Sequence, residues 1–424
     1  MPRPALKKYQ KRAIEFALDN PYSIIGLDCG LGKSRVAIHT REKLKTNCLI
    51  VCPSYLILNW VKEIRKWGPL DSKVVTFRSG KEITTKFDAD YVITSYDLVQ
   101  KAEHLFIWAD MIVLDEATAL KSMKAKRTTF MHKNIYENSI ERVHLLTGTP
   151  IKNRVQEFYS LLAICFYNPA KTGSRFLDLY PSEIHFADKF SFREEYTMEI
   201  GNRFIPIVKW SGIRNTDELK EWLKNKYIRV RSKDVLNLAP ITYKSILVSD
   251  TPDPSLIAAF NLFFLGKGNA AINPAAKANA ALRKVEFTTR YVKDLLGEVE
   301  SVLIYTDHVA SAEALAKQFD TKAITGHVPS TVRSDMADAF QRGEGRVLVS
   351  TIGSMKEGKD LYRSSHIVFN DITWVPGDIT QVIYRIQRIG QKNPCTVHYI
   401  MGSPQDEKIK QTIDDKMKTI EQAT

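Results

Sequence analysis

Gly26-Leu27-Asp28-Cys29-Gly30-Leu31-Gly32-Lys33-Ser34 is the stretch from which the fold is read. An apolar run, Tyr22 to Gly26, precedes it, and a helical pattern with Val36, Ala37, His39 and Thr40 follows. Glycines let backbone N–H groups close around phosphate oxygens. The helix that follows adds its positive N-terminal end. Gly30, Leu31, Gly32, Lys33 and Ser34 are therefore candidate nucleotide contacts, with ATP as the expected ligand. Lys33 is placed to reach the β- and γ-phosphates, and the Ser34 hydroxyl to ligand Mg2+. Leu27 stands where the strict form of this motif has glycine.

Working outward, short apolar runs alternate with amphipathic ones. A first helix is expected around Leu6, Gln10, Ala13, Ile14 and Ala17, stopped by Asn20-Pro21. Strands are expected at 22–26, 48–52, 91–94, 111–114 and 143–146, with helical patterns between several of them. This alternation indicates a parallel sheet covered by helices on both faces. The pattern returns at 302–305, 322–324, 346–350, 367–370 and 396–400, with helices at 309–319, 332–341, 378–388 and 406–421. The chain is thus read as an α/β protein of two parallel-sheet lobes, 1–165 and 239–424. A mostly helical basic insertion and linker, 166–238, is expected between them. Arg203 to Lys233 carries nine basic residues against three acidic ones, a stretch suited either to phosphates or to water. Gly266 to Asn269 and Asn273-Pro274 read as turns.

Asp115-Glu116-Ala117-Thr118 follows the apolar strand Met111 to Leu114. Ligands bind in such sheets at the carboxyl ends of the strands. Asp115 is therefore a candidate Mg2+ ligand, and Glu116 a candidate base for the attacking water. Gln381, Arg385 and Arg388 are spaced by four and three, so a continuous helix puts them on one face. Two guanidinium groups aimed at one spot suit a γ-phosphate. In this reading Lys33 and Asp115 of one lobe, with Arg385 and Arg388 of the other, surround a single ATP.

Composition limits the alternatives. At 424 residues, 44% hydrophobic and 26% charged, the chain suits two or three soluble domains. No apolar run approaches the roughly 20 residues that span a bilayer. Met1-Pro2-Arg3-Pro4 is unlike a secretory signal, which predicts a protein kept in the compartment where it is made. Five cysteines without a Cys-x-x-Cys pair argue against disulfides and against structural zinc. The net charge of +13 suits a polyanionic partner, although charge alone fits any soluble basic protein.

The ordered motifs resemble helicase superfamily two and, within it, the SWI/SNF-type DNA translocases. Leu6-Lys7-Lys8-Tyr9-Gln10 resembles the adenine-reading segment, which implies nucleotide contacts from Tyr9 and Gln10. Cys52-Pro53-Ser54 with Leu58-Asn59-Trp60-Val61-Lys62-Glu63, and Thr94-Ser95-Tyr96, are similar to the DNA-tracking motifs. Thr147-Gly148-Thr149, within 146–153, resembles the motif that couples hydrolysis to lobe movement. Leu303-Ile304-Tyr305-Thr306, Ser350-Thr351, and Trp374-x-Pro376 with Gln381, Arg385, Arg388, Gly390 and Gln391 match the second lobe's motifs. Arg229-Val230-Arg231-Ser232-Lys233-Asp234-Val235-Leu236 resembles a segment of the annealing-helicase (HARP-like) subgroup, whose members rewind, regress or branch-migrate forked DNA.

The resemblance implies two RecA-like lobes, ATP and Mg2+ as cofactors, and double-stranded or branched DNA as partner. Tracking requires phosphate contacts more than base contacts. Ser54, Thr94, Ser95, Thr351, Arg229 and Arg231 are expected to supply them, joined by Lys121, Lys124, Lys126 and Arg127 or by a merely solvated version of that loop. Departures from the family are Leu27 for an acidic residue, Thr118 for histidine, and Val375 for asparagine. A glycine-rich motif is altered to Ser354-Met355-Lys356-Glu357-Gly358, of which Gly358 keeps a nucleotide role. The near-bare motor is expected to work as a monomer in the cytoplasm of a bacterium or phage-infected cell. A restriction or defence motor, an RNA helicase, and a nucleotide-gated DNA-binding module stay open as alternatives.

Overall fold

The computed structural model describes residues 3–167, 175–200, 203–248, 274–355, 360–402 and 404–424. The chain divides into two units, 1–192 with 212–236 and 419–424, and 193–211 with 237–418.

The first unit is built on seven strands: β1 (Tyr22–Leu27), β2 (Cys48–Cys52), β3 (Val74–Thr76), β4 (Tyr91–Ser95), β5 (Met111–Asp115), β6 (Arg142–Leu146) and β9 (Tyr227–Val230). They lie in the order β3-β4-β2-β5-β6-β1-β9. Every pairing is parallel. Successive side chains of a strand point to opposite faces. Leu49 and Val51 accordingly enter one apolar core, and Cys48, Ile50 and Cys52 the other. This two-sided burial is why these strands read as continuous apolar runs. Helix α1 (Lys8–Asp19) turns Gln10, Ala13, Ile14 and Ala17 inward.

The stretch expected as a mostly helical insertion is more mixed. Its helices Arg175–Leu179, Glu183–Phe190 and Thr216–Leu223 are pinned to the first unit by aromatic rings. The Phe166 and Phe176 ring centroids lie 4.4 Å apart, and Trp222 meets both rings edge-on. Strands β7 (Phe192–Ile200) and β8 (Arg203–Ser211) pair with each other, and β9 then completes the first sheet. Burial of the aromatic residues outweighs the basic character of the segment.

The second unit carries β10 (Ile241–Leu247), β11 (Val302–Thr306), β12 (Val347–Thr351), β13 (His366–Phe369) and β14 (Cys395–Met401). Their order is β10-β14-β13-β11-β12, all parallel. The expected strand at 322–324 is only a bridge from Ile324 to Ser350. The edge strand β10 was not anticipated. Its exposed Thr242, Lys244 and Ser245 break the apolar run that marks the others. The expected turn at 266–269 and residue Gly358 lie outside the described residues, as does Asn273. Among the described residues no helix is long and apolar enough to cross a membrane. Nor does any group of three or more His, Cys, Asp or Glu there suit a metal ion.

Three buried histidines make stability depend on pH. Burial pushes His144 down to about 3, and His132 and His398 down to about 4. In the unfolded chain each titrates near ~6.5. Between that value and the folded one, only the unfolded state takes up protons. Their contribution is therefore complete above about pH 6.5 and is lost as pH falls toward 4. For His144 alone the loss at pH 4 is on the order of 3 kcal/mol. Urea midpoints at pH 7, 5.5 and 4 test this. His144→Gln is expected to flatten the pH dependence, and an unchanged slope refutes the assignment.

Candidate active site

The nucleotide loop connects the end of β1 to α2 (Lys33–Leu44). Gly30 and Gly32 adopt φ of 84° and 83°, the left-handed region that glycine enters without a Cβ penalty. Lys33 opens the helix, and its Nζ donates to the Leu27 carbonyl at 3.1 Å. Ser34 follows, half-buried. No acidic residue occupies the first turn of α2, so the positive end of the helix stays available to an anion. Gln10 is buried under the loop, where its Nε2 donates to the Leu31 carbonyl at 3.1 Å. A Cβ on Gly32 would lie 2.7 Å from that nitrogen, so the Gln10 amide would have to shift, on top of the strain from the positive φ. Tyr9 is half-buried beside Arg35, whose charge partly offsets the rise that burial gives the phenol.

Asp115 closes β5, and each of its carboxylate oxygens is held. Oδ2 accepts from the Trp60 indole Nε1 and Oδ1 from the Glu116 amide, both at 2.9 Å. The Tyr96 hydroxyl donates to the Asp115 carbonyl at 2.9 Å. Burial first, then neighbouring Glu116, raises the Asp115 carboxyl above the usual carboxylate range, while Lys33 pulls it back. Glu116 has φ 48° and ψ 51°, a left-handed conformation costing a non-glycine residue roughly 1–2 kcal/mol. Such strain persists where the surroundings over-determine it.

These residues fit a divalent cation. Asp115 is an oriented, buried carboxylate with a lone pair left on each oxygen. A bound cation would offset both the burial and the Glu116 charge that raise its proton affinity. Ser34 in the first turn of α2 supplies the hydroxyl. A bound Mg2+ would neutralise charge on the phosphates.

Thr147, Gly148 and Thr149 form a buried turn after β6, in which the Thr149 amide donates to Thr147 Oγ1 at 3.1 Å. Thr118, buried, sits in a short 3-10 turn after Glu116.

In the second unit, the helix Pro376–Ile383 carries buried Gln381 and then stops. Gln381, Arg385 and Arg388 therefore do not share a continuous helical face. The Arg385 carbonyl accepts from Leu361 N at 2.9 Å, and the Ile386 carbonyl from Gln391 Nε2 at 3.3 Å. After Ile383 the bonds tighten, with Arg385 N on the Val382 carbonyl and Ile386 N on the Ile383 carbonyl, so the helix ends in a turn. Arg385 is buried, with Nη2 donating to the Met355 carbonyl at 3.0 Å. Arg388 donates to the Tyr384 carbonyl and forms an ion pair with Asp360.

The expected phosphate contacts divide. Ser54, Lys124, Lys126 and Arg127 are exposed, and Arg127 lies 3.8 Å from Asp97. Thr94 is buried with its hydroxyl on the Phe77 carbonyl, Ser95 Oγ accepts from Leu98 N, and Thr351 Oγ1 meets Ser354 Oγ at 2.6 Å. Lys121 pairs with Glu157 at 2.7 Å. Arg231 reaches Glu421. Arg229 is placed differently from the expectation: it pairs with Asp28, a fully buried carboxylate, at 2.7 Å. Sequence reasoning missed Asp28, and it missed the hold of Trp60 on Asp115. An acidic residue inside a phosphate loop was the one available signal for the former; nothing in the sequence pointed to the latter.

Strand, glycine turn, lysine-headed helix and an acidic pair on a nearby parallel strand define a nucleotide-binding lobe of the phosphate-loop class. The chain belongs to the SNF2-related domain family, whose model matches residues 9–252. The helicase conserved C-terminal domain matches 284–390. The chain is similar to the DNA annealing helicase and endonuclease ZRANB3 of Mus musculus, 26% identical over 95% of this chain and 39% of that protein. It is also similar to the SWI/SNF-related matrix-associated actin-dependent regulator of chromatin subfamily A-like protein 1 of Xenopus tropicalis, 25% identical over 99% and 45%. The DNA repair and recombination protein RAD54B of Gallus gallus is 23% identical over 89% and 48%. The chain thus spans about two fifths to one half of the length of these relatives. Among solved structures, the Sulfolobus solfataricus SWI2/SNF2 ATPase core in complex with dsDNA matches with a TM-score of 0.45. That match is 21% identical over 98% of this chain and 95% of the other.

Proposed function

We propose that this chain is an ATP-driven translocase of double-stranded DNA that acts on forked or branched substrates. One observation carries the reading. Within an SNF2-family chain, Lys33 and the Asp115–Glu116 pair lie within electrostatic reach at the carboxyl end of one parallel sheet. Lys33 leaves the Leu27 carbonyl for the β- and γ-phosphates, and Gln10 with Tyr9 holds the base. Asp115 and Ser34 hold Mg2+. Glu116 orients and deprotonates the attacking water. Arg385 and Arg388 answer the charge of the γ-phosphate, and Thr147 to Thr149 pass the change onward. Ser54, Lys124 and Arg127, all exposed, are the proposed first-unit contacts to the DNA backbone.

Relatives named for annealing, repair and recombination support a branched substrate over a plain duplex. ATP turnover measured with duplex, forked DNA, single strands and RNA tests the assignment. Stronger stimulation by forked DNA than by plain duplex is expected, together with branch migration in a four-way-junction assay. Strongest stimulation by RNA makes the chain an RNA helicase. Absence of turnover with every nucleic acid leaves a nucleotide-gated binding module.

A further inference from the structure

Asp28 sits inside the nucleotide loop, fully buried, with no part in the phosphate chemistry described above. Its carbonyl accepts from Leu31 N within the loop at 3.2 Å, while its amide and carboxylate find partners on the chain that returns from the insertion. Asp28 N donates to the Val230 carbonyl at 3.1 Å. Asp28 Oδ2 accepts from Ser232 N at 2.7 Å, and Oδ1 lies 2.7 Å from Arg229 Nη2. The other arm of the same guanidinium, Nη1, donates to the Gly26 carbonyl at 3.1 Å and to the Gly148 carbonyl at 3.4 Å. One side chain thus touches the start of the loop, the acid within it, and the turn Thr147 to Thr149.

The turn is in direct contact with the loop as well. A Cβ on Gly148 would meet Cys29 Sγ at 3.3 Å and both Cys29 N and the Leu27 carbonyl at 3.4 Å. The Leu27 carbonyl is the group that Lys33 Nζ holds. Gly148 thus lies so close to the loop that a side chain there would touch it, and Arg229 bonds to backbone on both sides of that narrow gap. The rigid guanidinium reaches the carboxylate with one nitrogen and the two carbonyls with another; the three donors of a lysine ammonium sit on a single nitrogen and do not reproduce that spread.

We infer that Arg229, seated on Asp28, is a positioning residue for ATP turnover, setting the nucleotide loop against the Thr147–Thr149 turn and tying both to the strand that leaves the insertion. This rests on the reading of the loop as an ATP site.

The experiment compares the full chain with Lys33→Ala, Arg229→Lys and Asp28→Asn. The readouts are thermal midpoint, ATP KM, and kcat with and without saturating duplex DNA. Arg229→Lys keeps the charge beside buried Asp28, so it is expected to fold with a midpoint close to the parent's. Its kcat with DNA is expected to fall about ten- to a hundredfold, as for misplaced catalytic groups, with KM changed less than about threefold. Asp28→Asn keeps an acceptor for Ser232 N and is expected to show the same split, so it serves if Arg229→Lys does not fold. Parent-like kcat and DNA stimulation in a folded variant overturn the inference. So does a loss that lowers basal and DNA-stimulated rates equally and tracks the loss of folded protein. Parent-like turnover in Lys33→Ala sinks the ATP reading itself, and this inference with it. Lys33-dependent turnover that is indifferent to Arg229→Lys sinks the inference alone.

Discussion

Arg388→Ala is expected to bind ATP and DNA normally and to hydrolyse ATP at least about 10³-fold more slowly, the range seen when a charge-stabilising arginine is removed. The structure makes this variant a clean one. Arg388 spends its guanidinium on the Tyr384 carbonyl and on Asp360, a half-exposed carboxylate that water can solvate once the arginine is gone. Loss of a partly exposed ion pair costs little stability. A deficit in turnover then reports on catalysis rather than on folding. Arg385 is the worse choice, because it is buried against the Met355 carbonyl and its removal leaves a cavity lined by a polar group. Single-turnover hydrolysis beside binding of a fluorescent ATP analogue is the measurement. Hydrolysis within about tenfold of the parent ends the γ-phosphate role of Arg388.

Glu116→Gln is expected to reduce DNA-stimulated turnover by about 10²–10⁴-fold, the contribution of a positioned base. Binding of ATP should survive, because the substitution keeps the size of the side chain and removes only its charge and its ability to take a proton. Its amide still donates to Asp115 Oδ1, so the acid that would hold the cation keeps its orientation. Lys33→Ala is expected to fail differently, weakening ATP binding as well as turnover. It should leave the fold intact, since Lys33 is itself only half-buried and the bond shown for its Nζ is a single one, to the Leu27 carbonyl. Normal turnover in either variant contradicts the assignment of the site.

Much of the first unit is legible in the chain itself because burial on both faces of a parallel sheet writes apolar runs into the sequence. β2, Cys48 to Cys52, matches its expected bounds, and β1, β4, β5 and β6 differ by one residue at one end. The loop was legible because glycine and lysine at fixed spacing have few other uses. What escaped was set by long-range pairing. β9 carries Arg229 among only four residues, and its place beside β1 follows from Tyr227 and Ile228 meeting Ile24 and Ile25 across about 200 positions of sequence. The expected helical face of Gln381, Arg385 and Arg388 failed for a local reason instead. Arg385 N and Ile386 N turn to carbonyls three residues back, and Arg388 Nε takes the Tyr384 carbonyl on which the helix would have continued. Thr94 was picked out by a motif, but its burial and its bond to Phe77 depend on a strand edge that no local pattern marks.

The seventh strand of the first sheet has a consequence for biosynthesis. Until residues 227–230 have been made, β1 is an open edge, flanked only by β6. At about 5–20 residues per second, the interval from Cys165 to Val230 lasts on the order of 3–13 s. Through that time the growing polypeptide presents unpaired backbone amides next to the nucleotide loop, a template for wrong partners. A fragment cut after Cys165 would stay permanently in that condition, so it should be sticky and poorly soluble, whereas one carried through Leu236 should not.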